Sequence, residues 1–270
     1  MAGSGVAGAG LDARTVWNAW RRVMREDAIQ DAMFSGALAE RAGELGLDPE
    51  EREVVERYAT TPAGTRFFIA SFRYRMSSSF VNALETAAPL THRLLLANGA
   101  DVGALGEEFL DSVGWRDFGP YVYTYGGEVL RFLRDHPDAG RLHGLADLVA
   151  IELAAVGVTI AASGTAPDFT PTPGAYRASS AVTSVTTALD VSGWLRAGAR
   201  LGRDPVPAGP RAFLVYLAPP DLRRRVVAVP DAVAGLVRSL EEPRPAAEAG
   251  DPALLDRLVR LGVLVGPGAA

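Results

Sequence analysis

Apolar residues in the first half of the chain recur at spacings of three and four. In "LDARTVWNAWRRVMREDAIQDAMFSGALAERAGELG", Val16, Trp17, Trp20, Val23 and Met24 fall on one stripe, expected to be buried, with charges opposite. That spacing predicts an amphipathic helical segment, closed at Gly46. "DPEEREVVERYATTPAG" opens a new helix: Asp48 suits the N-cap, Pro49 the first helical position, and Glu50 and Glu51 the positive helix end. Phe68, Phe72, Met76, Phe80 and Leu84 then recur every four residues, an apolar ridge on a long helix that Pro89 interrupts. Further helices are predicted around 105–113, in "YGGEVLRFLRDHPDAG" up to Pro137, and in "LHGLADLVAIELAAVGV", the most apolar of them.

The pattern changes after Gly164. "GTAPDFTPTPGAY" has the Pro, Thr and Gly content of a linker. "ASSAVTSVTTALDV", "RAFLVYLAP" and "RRRVVAVP" are β-branched or alternating and predict strands, the last two joined by a turn at Pro219, Pro220 and Asp221. "DAVAGLVRSLEEP" and "DPALLDRLVRLG" predict two short amphipathic helices, the second with Asp251 as N-cap and Pro252 at its first position, and "VLVG" a last strand. The expected fold is α+β: an N-terminal all-α helical bundle over 11–163, a linker over 164–175, and a small α+β winged-helix-like domain over 176–270. Residues 1–10, small and without large apolar groups, are expected to form a disordered leader. Their G-x-G-x-x-G (Gly3, Gly5, Gly8) follows no strand, so it does not predict dinucleotide binding.

Composition narrows the function classes. The chain has 270 residues, 48% hydrophobic and 22% charged, the make-up of an ordinary globular protein. A net charge of −5 argues against a nucleic-acid partner, because such binding rests on phosphate neutralisation by Lys and Arg. The absence of cysteine removes disulfides, thiolate metal sites and cysteine nucleophiles. The apolar run 145–162 contains Asp147 and Glu152 and reads as too short and too charged for a membrane span. No basic segment followed by an apolar core opens the chain, so a cytoplasmic location is expected.

Recognisable chemistry is missing. His92, His136 and His143 form no metal-ligand spacing, no G-x-S-x-G elbow exists, and no phosphate-binding loop is present. The chain is therefore expected to be non-catalytic, with no cofactor of its own. Glu152, inside the most apolar helix, needs a partner if buried. Arg73 or Arg75 could supply it, but residues two apart on a helix point about 200° apart, so only one of them can. Ser77, Ser78 and Ser79 are small enough for close helix packing. In the C-terminal part a peptide could add as a strand to an exposed sheet edge. Phe213, Val215, Leu217 and Val227 are the candidate strand residues, and Arg223, Arg224 and Arg225 would attract acidic groups on the peptide. The alternative is a winged-helix-like DNA-binding regulator, although neither short helix is strongly basic.

Scattered residues carry a family resemblance. An arginine-bearing helix runs into Pro89 and Thr91; a helix follows with Tyr125, Gly126, Phe132 and Leu133; then a helix with the internal Glu152. Over roughly 59–156 this resembles the N-terminal helical domain of the HvfC/BufC-type peptide-modification chaperones. "DAVAGLVRSLEEPRPAAEAGDPALLDRLVRLGVLV" also looks like peptide-recognition elements of such pathways. The resemblance implies a partner subunit that binds the leader of a ribosomal precursor peptide. It would form a heterodimer with a multinuclear non-heme iron enzyme that modifies the peptide and holds the iron. It implies no catalytic residue and no metal ligand in this chain.

Overall fold

In chain order the helices are α1 (Ala13–Arg25), α2 (Asp27–Ser35), α3 (Leu38–Arg41), α4 (Pro49–Ala59), α5 (Pro62–Ala87) and α6 (Pro89–Ala97). They continue as α7 (Val102–Ser112), α8 (Val122–Asp135), α9 (Leu145–Gly164), α10 (Asp231–Ser239) and α11 (Pro252–Arg260). The strands are β1 (Thr172–Pro173), β2 (Ala175–Ala178), β3 (Val182–Leu189), β4 (Ala208–Ala218), β5 (Arg223–Val229), β6 (Arg244–Pro245), β7 (Leu264–Val265) and β8 (Pro267–Gly268). This computed structural model describes residues 11–116, 122–196 and 198–268. The expected leader 1–10 and its glycine motif lie outside them. The class is α+β, as the pattern of apolar positions predicts.

Two compact units divide the chain. One lies within Met1–Ser79 and Gly106–Asp117, the other within Phe80–Leu105 and Phe118–Ala270. The boundary thus falls inside α5 and not in the linker expected over 164–175.

In the first unit, local signals set the helix starts. Asp12 accepts hydrogen bonds from the amides of Arg14 and Thr15 at the start of α1, and Asp48 and Glu51 form a reciprocal capping box at α4. Each cap contributes about 1 kcal/mol. The segment expected as one helical stretch from 11 to 46 is three helices. It breaks at Glu26, whose extended backbone (φ −100, ψ 105) ends α1 and begins α2. Arg22 holds that corner, donating to Glu26 at 2.8 Å and to the Leu45 carbonyl at 2.7 Å. Val23, Ile29, Met33, Leu38, Val55 and Ile69 form the core there. Burial of side chains of this size contributes roughly 1.5–3 kcal/mol each.

In the second unit a three-stranded antiparallel sheet, ordered β3–β4–β5, has helices on both faces. Leu214 and Tyr216 of β4 pack with Val237 and Leu240 after and within the α10 segment and with Leu255 and Leu258 of α11. The alternate face lies against α9, which packs on β3 and β4. Asp147 ties α9 to the sheet, accepting from the Ala188 amide at 2.7 Å. That bond is one physical reason the helix belongs with the strands. At 20 residues, with a mean hydropathy of 2.0, α9 is the one described helix long and apolar enough to cross a membrane, so length does not exclude a span. Its packing is that of a core helix: Leu148, Val149, Ile151, Ala155 and Val156 are buried, and both of its acids bond to backbone amides. Gly126 of α8 meets α5 closely, since a Cβ there would lie 2.4 Å from that of Ala87.

Candidate functional site

The residues expected to bind a peptide separate into two groups. Phe213, Val215 and Leu217 stand in β4, which pairs with β3 on one side and β5 on the other and is buried. A central strand has no free main-chain groups, so these three cannot receive an added strand. Their assignment as peptide contacts is corrected: they are core, on the sheet face toward α9. β5 is different. Among the described residues it pairs with β4 alone, and its other edge is open.

One hydrogen bond settles which β5 groups point outward. The Leu217 amide donates to the Ala181 carbonyl at 3.0 Å, so odd-numbered residues of β4 bond toward β3 and even-numbered ones toward β5. The register pairs Leu214 with Val227 and Tyr216 with Arg225. Arg225, Val227 and Val229 are therefore the bonded partners of β4. The amide and carbonyl groups of Arg224, Val226 and Ala228 face the open edge.

The three arginines of the turn do different things. Arg223 closes an ion pair of 2.8 Å with Asp221 in its own turn. Arg224 is half-buried and lines a cleft of about 400 Å³ with Thr86, Thr159, Ser163, Leu217 and Leu222. Arg225 is exposed and shares a sheet face with Val227. Burial pushes the Tyr216 hydroxyl up from its ordinary pKa, and the charge of Arg225 opposes the shift.

Beside the open edge lies an apolar groove of about 190 Å³. One wall is Val227 and Val229 of β5, the other Leu254, Arg257 and Leu258 of α11 with Leu261 just after it, and Leu214, Tyr216 and Val263 also line it. The α11 wall escaped the sequence reading. Its signal was present, as Leu254, Leu258 and Leu261 recur at helical spacing, but that spacing does not separate a core stripe from the wall of an open groove.

Glu152 is buried, 3% exposed, and its partners are not arginines. Its carboxylate accepts from the Leu90 amide at 2.7 Å and the Thr91 amide at 3.0 Å, the first turn of α6. Those are donors a helix start leaves unsatisfied, and the positive helix end suits a carboxylate. Burial nevertheless pushes its pKa up to about 7, opposed by the Thr91 side chain, the two amides and the charge of Arg224. The expected pairing with Arg73 or Arg75 is thus corrected. Arg73 donates to the Asp27 carboxylate and sits over the Trp115 ring, 4.6 Å from its centroid. Arg75 is exposed and lines a groove in the first unit. The serines close their hydroxyls on their own helix: Ser78 donates to the Tyr74 carbonyl and Ser79 to that of Arg75, each at 2.9 Å.

The described residues contain no group of three or more His, Asp or Glu side chains placed to hold a metal ion. The chain matches no protein-family model and no curated protein.

Proposed function

We propose that this chain is a peptide-binding partner protein that captures an extended segment of a ribosomal precursor peptide along β5. The observation that carries the reading is the coincidence of an open strand edge, at Arg224, Val226 and Ala228, with the apolar groove beside it. Main-chain bonds to a sheet edge supply affinity without regard to sequence, and side chains at alternate positions supply selectivity. A peptide strand on this edge would send every second side chain toward Val227, Leu254 and Leu258, which favours aliphatic groups there. Arg225 and Arg257, both exposed, would favour acidic residues next to them. The leader would then be presented to a multinuclear non-heme iron enzyme in a cytoplasmic heterodimer, with the iron in the enzyme. That part of the proposal rests on the family resemblance.

The test is a titration of the full chain with a labelled precursor peptide encoded beside its gene. Val226→Pro deletes an amide that faces the open edge and leaves the pairing with β4 intact, a placement proline tolerates in edge strands. The expected outcome is at least a tenfold loss of affinity with little change in melting temperature. Unchanged affinity sinks the β5 assignment. Stoichiometric iron held by the chain alone, with activity on the peptide, sinks the partner-protein reading.

A further inference from the structure

The most exposed large side chains of the molecule are not on the β5 groove. Among the described residues, the four exposed aromatics are Trp17 at 58%, Phe67 at 68%, Phe68 at 59% and Tyr74 at 75%, all in the first unit. Exposed large apolar groups of the second unit are single aliphatic ones, such as Leu96, Ile160 and Leu222. Single exposed aliphatics are ordinary, whereas clustered aromatics mark interaction surfaces.

Two of these aromatics belong to a groove of about 470 Å³ between α1 and α5. Trp17, Trp20 and Met24 form one wall, at helical positions i, i+3 and i+7; Phe68, Phe72, Arg75, Met76 and Ser79 form the other. The second wall runs over twelve residues, Phe68 to Ser79, about 16 Å along the axis, or three turns of an incoming helix. The rings pack edge-on against one another, Trp20 with Phe68 at 6.3 Å and Phe67 with Phe68 at 5.9 Å.

Charge identifies the occupant. The two helices bordering the groove, α1 and α5 up to Ser79, carry seven arginines and no acid: Arg14, Arg21, Arg22 and Arg25, then Arg66, Arg73 and Arg75. Arg22 and Arg73 are engaged by acids from neighbouring segments, and Arg66 lies over the Phe34 ring. Arg14, Arg21 and Arg75 are exposed and make no ion pair among the described residues. Arg14 and Arg21 are the i−3 and i+4 neighbours of Trp17, and Arg75 lines the groove itself. The chain as a whole carries a net charge of −5, so this face runs against the overall balance.

We infer that the α1–α5 groove docks an acidic amphipathic helix of a partner protein, with large apolar residues at i, i+3 or i+4, and i+7. It rests on residues of the first unit and does not depend on the β5 reading.

Selection from a displayed library of random peptides about 14 residues long, roughly four helical turns, tests it. The bait is the full chain, with counter-selection on a Trp17→Ala, Arg75→Glu double variant. Both side chains are exposed, so the variant should keep its helical circular dichroism; if it does not, Phe68→Ser replaces it. Enriched peptides are expected to be rich in Asp and Glu, to carry the stated apolar spacing, and to bind the variant at least tenfold more weakly. Val226→Pro should leave that binding unchanged, which separates this groove from the β5 edge. Enrichment of neutral or basic peptides, or no enrichment over the variant, overturns the inference. Tighter binding of oligouridylate or of phosphatidylserine vesicles through the same residues overturns it as well.

Discussion

β4 and β5 are neighbours in one sheet, and they have opposite fates. In β4, "FLVYL" is buried on both faces and paired on both edges. In β5, "RRRVVAV" alternates between exposed and half-buried and is paired on one edge. The three arginines account for part of β5's exposure, but position decides what its main chain does. A strand flanked on both sides spends its main chain on the fold, and a strand flanked on one side keeps half of it for a ligand.

Four experiments would break or sharpen that contrast. The largest effect is expected from Val215→Pro, which removes an amide bonded toward β3 inside the central strand, where proline is not accommodated, and should unfold the sheet. Loss of the cooperative urea transition would show it. The same proline at Val226 is the counterpart, and an equal loss of stability there would erase the distinction between the strands.

Phe213→Ala comes next. The ring is fully buried, and its truncation is expected to cost about 3–5 kcal/mol, read from the urea midpoint. Val227→Ala, at a position 42% exposed on the edge strand, should cost well under that.

The third experiment concerns the charge that β5 sends inward. Glu152 has its folded pKa raised from 4.5 to about 7, so the folded state holds its proton more tightly than the unfolded state does. The stability this group contributes is complete below the unfolded value and is lost as pH rises through about 7, about 3 kcal/mol in all. Glu152→Gln should flatten that fall in melting temperature between about pH 5 and pH 7.5. Arg224→Ala should steepen it and extend it upward, because the arginine's charge now lowers the carboxyl's pKa. A pH profile untouched by either substitution would remove Glu152 as a titrating group.

The smallest expected stability effect is that of Val226→Pro, below about 1 kcal/mol, since edge strands accept proline where the amide faces outward. Its effect on binding is the one described above. A combination of small ΔΔG and large loss of affinity is what an edge strand should give, and no central strand can.

Much of the element structure is legible in the chain. Pro89 is separated from the end of α5 by one residue and begins α6, Asp48 and Asp251 cap the helices they were expected to cap, and Pro49 and Pro252 take first positions. These are local devices whose chemistry is complete within a few residues. The break at Glu26 was not legible, since neither proline nor glycine marks it; Arg22 reaching across to the Leu45 carbonyl helps hold it, a contact 23 residues away in sequence. The candidate site was half legible. "RRRVVAV" reads as a strand and is one, but the α11 wall and the outward amides needed the pairing of β4 with both neighbours.

Glu152 marks the dividing line between the two sources of information. That a carboxylate in so apolar a helix needs a partner follows from the desolvation cost of a charge, and the sequence alone determines it. That the partner is a pair of backbone amides at the start of α6, 61 and 62 residues away, was decided only by tertiary structure. Every residue but proline carries an amide, so residue identity cannot advertise which ones are left unsatisfied. Helix ends and sheet edges do, and those exist only once the chain has folded.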